Sequence, residues 1–339
     1  MRLKRNSANS RGIVAVALLG LMLPGVAGAD YAYVTNQSSS DLSVIDLERM
    51  VEVDRIPVPG APAGIAVAPK LGAVFTVSTD SKVLRRYAMP VGKPQVERTL
   101  DGGPIGVAVD ELRGRVFVSD WYNARVWVVA ADDLSTSQVL STGSAPAGLA
   151  LSPDGRWLAT ADRDANQVSI FDAQTLELRH RVTVGQRPFG ITFSPDGRLF
   201  SADVGSNTVT AVDPVSGQVL GHAATRERPY AVAFAGGRGF VTNQYDDSVS
   251  VFDAQSLAAI ATIETGEYPE GIDTTADGRQ IVVANWFSNS LTVIDPLSLE
   301  VVGEIATGDG PRAFGRFLSA APMPSSSSAE QTGAVAPRP

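Results

Sequence analysis

The chain of 339 residues contains no cysteine. This absence excludes disulfide bonds, thiolate zinc sites, cysteine nucleophiles and covalent haem attachment through a Cys-x-x-Cys-His motif. Histidine, the usual metal ligand and general base, is limited to His180 and His222. Without disulfides the folded protein has to be stabilised by its own apolar core, for which this length is ample.

Basic residues are outnumbered by acidic ones. Lys and Arg total 28 against 36 Asp and Glu, a net charge of −8. The first 29 residues hold four of the positive charges and no negative ones, so the remainder has 24 minus 36, or −12. An acidic protein repels phosphate backbones and anionic lipid surfaces, which argues against nucleic acid and membrane as partners.

The apolar run near the N-terminus, residues 13–26, is too short to span a bilayer comfortably. A basic segment precedes it, and the small residues Ala27 to Ala29 follow it. This pattern predicts a cleavable signal peptide over residues 1–29, a mature chain starting at Asp30, and a periplasmic or secreted location. The alternative is an uncleaved membrane anchor, against which Pro24 and Gly25 argue because they break the run.

A repeat of about 42 residues fills most of the chain. Each copy opens with a proline, and the spacings between openings are 42, 42, 42, 41, 40 and 42 residues. The opening residues are Pro62, Pro104, Pro146, Pro188, Pro229, Pro269 and Pro311. Seven openings predict seven structural units.

Each copy contains four short β-type runs, whose lengths suit strands rather than helices. Ser-Pro-Asp-Gly at residues 152–155 and 194–197 predicts tight turns after the first run. An aspartate closes the third run in five copies and should start the next hairpin: Asp46, Asp172, Asp213, Asp253 and Asp295. We predict an all-β fold, a seven-bladed β-propeller with four antiparallel strands per blade, lettered a to d from the channel outward.

The repeat starts and ends out of phase. The mature chain begins with a b strand at residues 31–36, and the last a strand follows Pro311. Pairing the C-terminal a strand with the N-terminal b strand would close the ring and leave no open sheet edge. The predicted domains are a signal peptide (1–29), a propeller (30–318) and a disordered Ser/Pro/Ala-rich tail (319–339). We expect a monomer.

Several segments resemble the YVTN-type β-propeller repeat family: residues 33–36 (Tyr-Val-Thr-Asn), residues 241–243 (Val-Thr-Asn) and residues 313–317 (Ala-Phe-Gly-Arg-Phe). The resemblance covers residues 31–318 and implies an exported bacterial propeller. It also implies an architecture related to quinoprotein subunits, the d1-haem domain of nitrite reductase and seven-bladed lactonases. It implies no particular activity.

Two columns of residues should reach one mouth of the channel. The ends of the b strands form a polar ring, Asn36, Ser78, Asp120, Asp162, Asp203, Asn243 and Asn285. Such a ring resembles the oxygen ligands of calcium-dependent lactonases. However, a feature that every blade repeats is more simply a turn-capping position. Both histidines fall in outermost d strands, away from the channel, so we expect no catalytic residue, metal or cofactor.

The second column varies, because the residue after each opening proline changes from small to aromatic or charged around the ring. Together with neighbouring loop residues, this second column predicts a binding surface for a protein or a small ligand. The alternative is that these residues pack only on their own neighbours. The candidate binding residues are Trp121, Arg163, Arg187, Phe189, Arg228, Tyr230, Glu270, Trp286 and Arg312.

These patterns leave several functions open. The leading hypothesis is a non-catalytic binding or scaffold module. A divalent-metal hydrolase of the lactonase type, using the polar ring, is the alternative. Single-stranded nucleic-acid binding through Trp121, Trp286, Tyr230 and the arginines is a third. An accessory role to a quinone enzyme rests on analogy of fold alone.

Two charges interrupt the otherwise apolar a strands, Asp273 and Arg316. A buried charge needs a partner, so we predict a salt bridge between them across the closing seam. The alternative is that Asp273 accepts hydrogen bonds from backbone amides while Arg316 reaches solvent.

Overall fold

The computed structural model describes residues 30–320, except for the side chain of Ser137. The predicted signal peptide and residues 321–339 of the predicted tail lie outside the described residues. The last strand includes Ser319 and Ala320, which the sequence assigned to the tail. Within residues 30–320, no helix is long and apolar enough to cross a bilayer.

Seven sheets surround a central channel, which confirms the seven-bladed β-propeller. In chain order the strands are β1 (Asp30–Asn36), β2 (Asp41–Asp46), β3 (Val51–Pro57), β4 (Pro62–Ala68), β5 (Ala73–Ser78), β6 (Val83–Ala88), β7 (Pro94–Thr99), β8 (Pro104–Asp110), β9 (Arg115–Asp120), β10 (Arg125–Ala130), β11 (Thr136–Ser141), β12 (Pro146–Leu151), β13 (Trp157–Asp162), β14 (Gln167–Asp172), β15 (Leu178–Thr183), β16 (Pro188–Phe193), β17 (Leu199–Asp203), β18 (Thr208–Asp213), β19 (Gln218–Ala224), β20 (Pro229–Ala235), β21 (Arg238–Asn243), β22 (Ser248–Asp253), β23 (Ala259–Glu264), β24 (Pro269–Thr274), β25 (Ile281–Asn285), β26 (Ser290–Ile294), β27 (Val301–Ala306), β28 (Phe314–Arg316) and β29 (Leu318–Ala320). Two short 3-10 helices span Pro69–Leu71 and Arg163–Ala165.

Blades 1 to 6 each take four consecutive strands, beginning with β4, β8, β12, β16, β20 and β24. Blade 7 combines β29 with β1, β2 and β3. Each opening proline pairs with the end of its b strand, as in Pro104 opposite Asp120. The d–a and b–c loops therefore share one face, called the upper face here, and the a–b and c–d turns form the lower face.

The turns form as the sequence predicts. Gly155 and Gly197 adopt φ values of 69° and 88°, which favour glycine. The backbone N–H of each donates to the carbonyl of the serine that opens its turn, at 2.9 Å. Asp172 Oδ1 accepts from two backbone amides of the next loop, at 2.9 and 2.8 Å. These local bonds end one strand and start the next without help from distant residues.

The core lies between blades, since alternate side chains of each strand face opposite neighbours. Phe200 of blade 4, for example, packs against Phe234 and Phe252 of blade 5, with ring centroids 4.7 and 6.1 Å apart. All seven sheets are packed together in this way. The ring therefore holds without disulfides, as the cysteine-free composition requires.

Glycine two residues after the opening proline lets the inner strands approach closely. A Cβ atom on Gly106 would lie 2.3 Å from the carbonyl oxygen of Ala147 in the next blade. On Gly190 it would lie 2.2 Å from the carbonyl oxygen of Tyr230. A side chain does not fit at such distances, so these positions let the innermost strands of adjacent blades pack closely.

The ring closes between the two ends of the repeat, as predicted. Strand β29 pairs with β1, with Ala32 opposite Leu318. The Tyr33 N–H donates to the Phe317 carbonyl at 2.9 Å, and the Arg312 N–H donates to the Thr35 carbonyl at 2.8 Å. Between these contacts, Phe314–Arg316 leaves blade 7 and pairs in parallel with β4 of blade 1. We call Phe314–Arg316 the crossing segment.

The predicted salt bridge between Asp273 and Arg316 is wrong. Asp273 Oδ2 instead accepts from the backbone N–H groups of Phe317 and Leu318, at 2.9 and 3.0 Å. Arg316 Nη1 lies 3.7 Å from Glu111 Oε1 of blade 2. The physical reason is the crossing segment, which carries Arg316 away from blade 6 and leaves Asp273 beside the amides of the closing strand.

Candidate functional site

Aromatic side chains fill the upper mouth of the channel. The rings of Phe189, Tyr230 and Phe314 have centroids 4.6 to 5.7 Å apart, and each residue is less than a tenth exposed. Trp121 packs on this group, 6.0 Å from Phe189, and the Arg163 guanidinium lies 5.4 Å from the Trp121 ring. We call Phe189, Tyr230 and Phe314 the plug.

A charged network lies beside the plug. Arg312 donates to Tyr230 Oη at 2.9 Å and to Gln37 Oε1 at 2.8 Å. Its Nε is 3.3 Å from Glu270 Oε2. Gln244 donates to the other carboxylate oxygen of Glu270 at 2.9 Å. Blades 5, 6 and 7 therefore meet in one hydrogen-bonded cluster.

Burial governs the electrostatics of this network. Glu270 is only 3% exposed, and desolvation raises its pKa, while the positive charge of Arg312 partly offsets that rise. Burial likewise raises the pKa of Tyr230, so its hydroxyl stays protonated. The Arg312 guanidinium also lies 5.6 Å from the Trp286 ring. The network is a structural unit that holds the plug in place.

The predicted site residues thus fall into three groups. Phe189, Tyr230 and Glu270 lie at the predicted mouth, but they are buried there against their own neighbours. Trp121, Arg163, Trp286 and Arg312 border this cluster and are partly exposed. Arg187 and Arg228 are exposed on the same face, outside the plug.

An exposed aromatic row runs along the upper face of blades 5 and 6. Ring centroids are 5.7 Å apart between Tyr245 and Tyr268, and 5.0 Å apart between Tyr268 and Phe287. Arg228 extends the row, with its guanidinium 4.3 Å from the Tyr245 ring. Tyr245 is 54% exposed and Phe287 is 62% exposed. We call Tyr245, Tyr268 and Phe287 the aromatic row.

The residue before the opening proline has a strained backbone. In Arg187, Arg228 and Tyr268 the φ angles are 54°, 55° and 57°, in the left-handed region that bulky residues avoid. Four other copies place glycine or alanine at this position: Ala61, Gly103, Ala145 and Gly310. Ala61 and Ala145 have φ angles of 59° and 53°, so the left-handed conformation belongs to this loop of the repeat whatever side chain it carries.

The candidate residues taken from the sequence do not include Tyr268. The signal was present, because Tyr268 precedes Pro269 as Arg187 and Arg228 precede their prolines. Its contact with both neighbouring rings became visible only in three dimensions.

The side chains of the polar ring, at the ends of the b strands, form hydrogen bonds within their own blades. Asp162 Oδ2 accepts from Gln167, Ser169 and the backbone N–H of Gly143, at 2.6 to 2.9 Å. Asn285 Nδ2 donates to Ser290 and Thr292, at 3.2 and 2.8 Å. The ring members are fully buried. This is the turn-capping arrangement, repeated blade by blade.

No group of three or more His, Asp or Glu side chains within residues 30–320 could hold a metal ion. His180 Nε2 lies 3.0 Å from the Val215 carbonyl, and His222 Nδ1 lies 3.0 Å from Thr210 Oγ1. Both histidines are on outermost strands, β15 and β19, where the repeat had placed them.

Asp203 gives a pH-dependent prediction. Burial raises its pKa to about 6, although Thr210, Ser201 and Thr208 donate hydrogen bonds that oppose the rise. The folded protein therefore loses stability as pH rises from about 4 to 6, by about 3 kcal/mol in total. Asn243 occupies the same place in blade 5 and donates to Ser248 and Ser250. We expect Asp203→Asn to raise the free energy of unfolding above pH 6, with the gain vanishing near pH 4.

Urea unfolding between pH 4 and pH 8 measures this effect, and Asn243→Asp is the matched control. That change should destabilise the protein above pH 6 and have little effect near pH 4. If Asp203→Asn lowers stability at pH 8, the carboxylate is ionised and well stabilised in the fold, contrary to the prediction.

Comparison with known protein families supports the propeller fold. A family model described as YNCE-like beta-propeller matches residues 206–314, and one described as lactonase, 7-bladed beta-propeller matches residues 103–236. Each match covers less than half of the chain. The chain is a β-propeller, with partial likeness to both groups.

Similar proteins extend this finding. The chain is 27% identical over 190 residues to the uncharacterized protein YncE of Salmonella typhimurium. That alignment covers 53% of this chain and 54% of YncE, so it spans about half the length of the relative.

Two solved structures share the fold at 16% identity. A functionally unknown protein from Desulfotomaculum acetoxidans has a TM-score of 0.72, with 86% of this chain and 98% of that one covered. The hydrazine synthase of Kuenenia stuttgartiensis has a TM-score of 0.71, with 84% and 99% covered.

Proposed function

We propose that this protein is an exported, non-catalytic binding propeller that engages a partner protein on its upper face. The observation that carries the proposal is the aromatic row with Arg228. Large exposed rings flanked by arginine are the residues that contribute most to protein–protein binding.

A protein partner suits this surface better than an enclosed small ligand. The plug fills the mouth, so the upper face offers a shallow aromatic strip rather than a deep pocket. Arg228 lies against that strip and Arg187 is exposed on the same face, and both would favour an acidic contact patch on the partner. The residues predicted from sequence then divide between contact, by Arg187 and Arg228, and support, by Phe189, Tyr230, Glu270 and Arg312.

The other hypotheses have weaker support. A metal-dependent hydrolase would need the polar ring, whose side chains are fully buried and form no group of three or more acidic or histidine residues placed to hold a metal ion within residues 30–320. Nucleic-acid binding would need Tyr230 as a stacking platform, but that ring is 3% exposed. Export rests on the predicted signal peptide at residues 1–29, and the predicted propeller and tail boundaries remain part of this proposal.

Site-specific photo-crosslinking in the native host tests the proposal. We expect a benzophenone amino acid at Phe287 to capture one discrete protein. The same probe at Leu112, which is 71% exposed on the lower face, should not capture it. Equal capture at both positions, or capture of nothing at Phe287, would contradict the proposal.

Tyr268→Gly separates binding from folding. Glycine relieves the positive φ, so the free energy of unfolding should stay unchanged or rise slightly. Capture by the probe at Phe287 should nevertheless fall, because the middle ring of the row is gone. Retained capture in this variant would show that the aromatic row is not the contact surface.

A further inference from the structure

Below the plug, the central channel is a blind cavity of about 660 Å³. Its wall is built from the innermost strands of blades 1 to 6 and from the crossing segment. The glycines of the innermost strands and Phe314 of the plug line its upper part. It opens on the lower face, where Pro153, Pro195 and Ala276 of the a–b turns line its edge.

The wall of this cavity is mostly apolar. Side chains such as Ile191, Phe193, Leu149 and Val232 line it. Strand β16 is the last strand of its sheet, so its inner edge also presents backbone N–H and C=O groups without sheet partners. A cavity of this volume, apolar with a few polar groups, has the character of a small-ligand site.

Two charged residues belong to this wall, Asp273 and Arg316. The carboxylate of Asp273 is occupied by backbone amides at 2.8 to 3.0 Å. Arg316 is different. Its side chain is 57% exposed, and Nη1 is 3.7 Å from Glu111 Oε1, beyond hydrogen-bond distance. Glu111 itself accepts a closer bond, from the Lys70 N–H at 2.6 Å.

The crossing segment is the reason that a guanidinium lies here. Phe314–Arg316 leaves blade 7, pairs with the inner edge of β4 and places Phe314 in the plug and Arg316 below it. Phe314–Arg316 therefore contributes to both ends of the cavity. Phe314 lies at the upper end, and Arg316 is the one cationic residue among the described residues that line the wall. Thr192 also lies in this wall.

We propose that this cavity is a second binding site, for a small amphipathic anion. The apolar body of the ligand lies against the channel wall, and its carboxylate or similar acidic group pairs with Arg316 at the lower end. The ligand enters from the lower face. The site is independent of the aromatic row, which lies on the opposite face.

Isothermal titration calorimetry with decanoate tests this site, and decylammonium is the matched probe of opposite charge. We expect one decanoate per chain and binding of decylammonium at least about fivefold weaker. Equal affinities for the two probes, or no measurable binding of decanoate, would overturn the proposal.

Substitutions of arginine residues test where decanoate binds. Arg316→Ala should weaken decanoate binding about fivefold, because the ion pair is lost at a partly exposed position. Arg279→Ala is the matched control, since Arg279 is 83% exposed on the same face and pairs with Asp277. It should leave the affinity unchanged. An unchanged affinity in Arg316→Ala would overturn the role of the guanidinium.

A filling substitution tests the cavity itself. Thr192→Phe should abolish decanoate binding by occupying the channel, whereas Thr192→Val should retain it. Thermal unfolding of each variant shows whether the fold is kept. Binding that persists in a folded Thr192→Phe variant would place the probe elsewhere and overturn the site; the Arg316 comparison decides the matter if that variant does not fold.

Discussion

Arg312→Met is expected to lower the free energy of unfolding by about 3–5 kcal/mol, because it leaves Glu270 as a buried charge without its cation. Tyr230 and Gln37 also lose their hydrogen-bond donor. Chemical denaturation at pH 8 measures the loss. At lower pH the deficit should shrink, since Glu270 has a raised pKa and becomes neutral by binding a proton.

The double variant Arg312→Met with Glu270→Gln is the decisive control. Removing both charges should recover most of the stability, because a neutral pair no longer carries the cost of burial. Arg316→Met, at an exposed arginine of the same strand region, should cost less than about 1 kcal/mol. Losses that simply add in the double variant would show that Arg312 and Glu270 are not coupled.

Asp273→Ala is expected to cost about 3 kcal/mol by leaving the N–H groups of Phe317 and Leu318 without their acceptor. These amides belong to the strand that closes the ring. The loss should therefore be local to blade 7, and amide hydrogen exchange should accelerate at Tyr33, which bonds to Phe317.

Asp273→Asn is a milder change, because one acceptor oxygen remains, and it should cost less than Asp273→Ala. Arg316→Ala should leave exchange at Tyr33 unchanged. A coupling energy between Asp273 and Arg316 in a double-mutant cycle would contradict this account and restore the direct ion pair.

The two proposals assign a different binding function to each face of the propeller. On the upper face, the network around Arg312 holds the plug, and the aromatic row lies beside it as a contact surface. On the lower face, the cavity is open. The crossing segment connects the two, since Phe314 belongs to the plug and Arg316 to the cavity wall. A ligand below could therefore be tested for an effect on partner capture above.

Much of this architecture follows from local chemistry that is readable in the chain. The spacing of the prolines predicts the number of blades. Ser-Pro-Asp-Gly predicts the a–b turns, and the aspartates at the ends of the c strands predict the c–d turns. The out-of-phase termini identified the closing blade. These features can be predicted from the sequence because each depends on hydrogen bonds between residues that are close in the chain. The same sequence pattern therefore recurs wherever the same turn recurs.

The upper mouth was only partly predictable. Sequence variation after each proline drew attention to one arc of the ring, but it did not distinguish buried side chains of the plug from exposed side chains. Phe189 and Tyr268 illustrate the difference. Both are aromatic residues next to an opening proline, yet Phe189 is 7% exposed in the plug while Tyr268 lies in the aromatic row. Exposure depends on which side chains of other blades pack against the residue, and for Phe189 these are Trp121, Tyr230 and Phe314, which are far from it in the chain.

What the sequence by itself determined is the repeat: seven blades, four strands in each, their turns and the closure between the two ends. What only the tertiary structure decided is how the last copy departs from the repeat. Asp273 was paired with Arg316 on the assumption that the closing strand runs straight, but the crossing segment moves to β4 and sends Arg316 toward Glu111. The reason is that local bonds specify turns and strands, whereas the path of a strand across a shared channel depends on the free backbone edge and the space that other blades leave there.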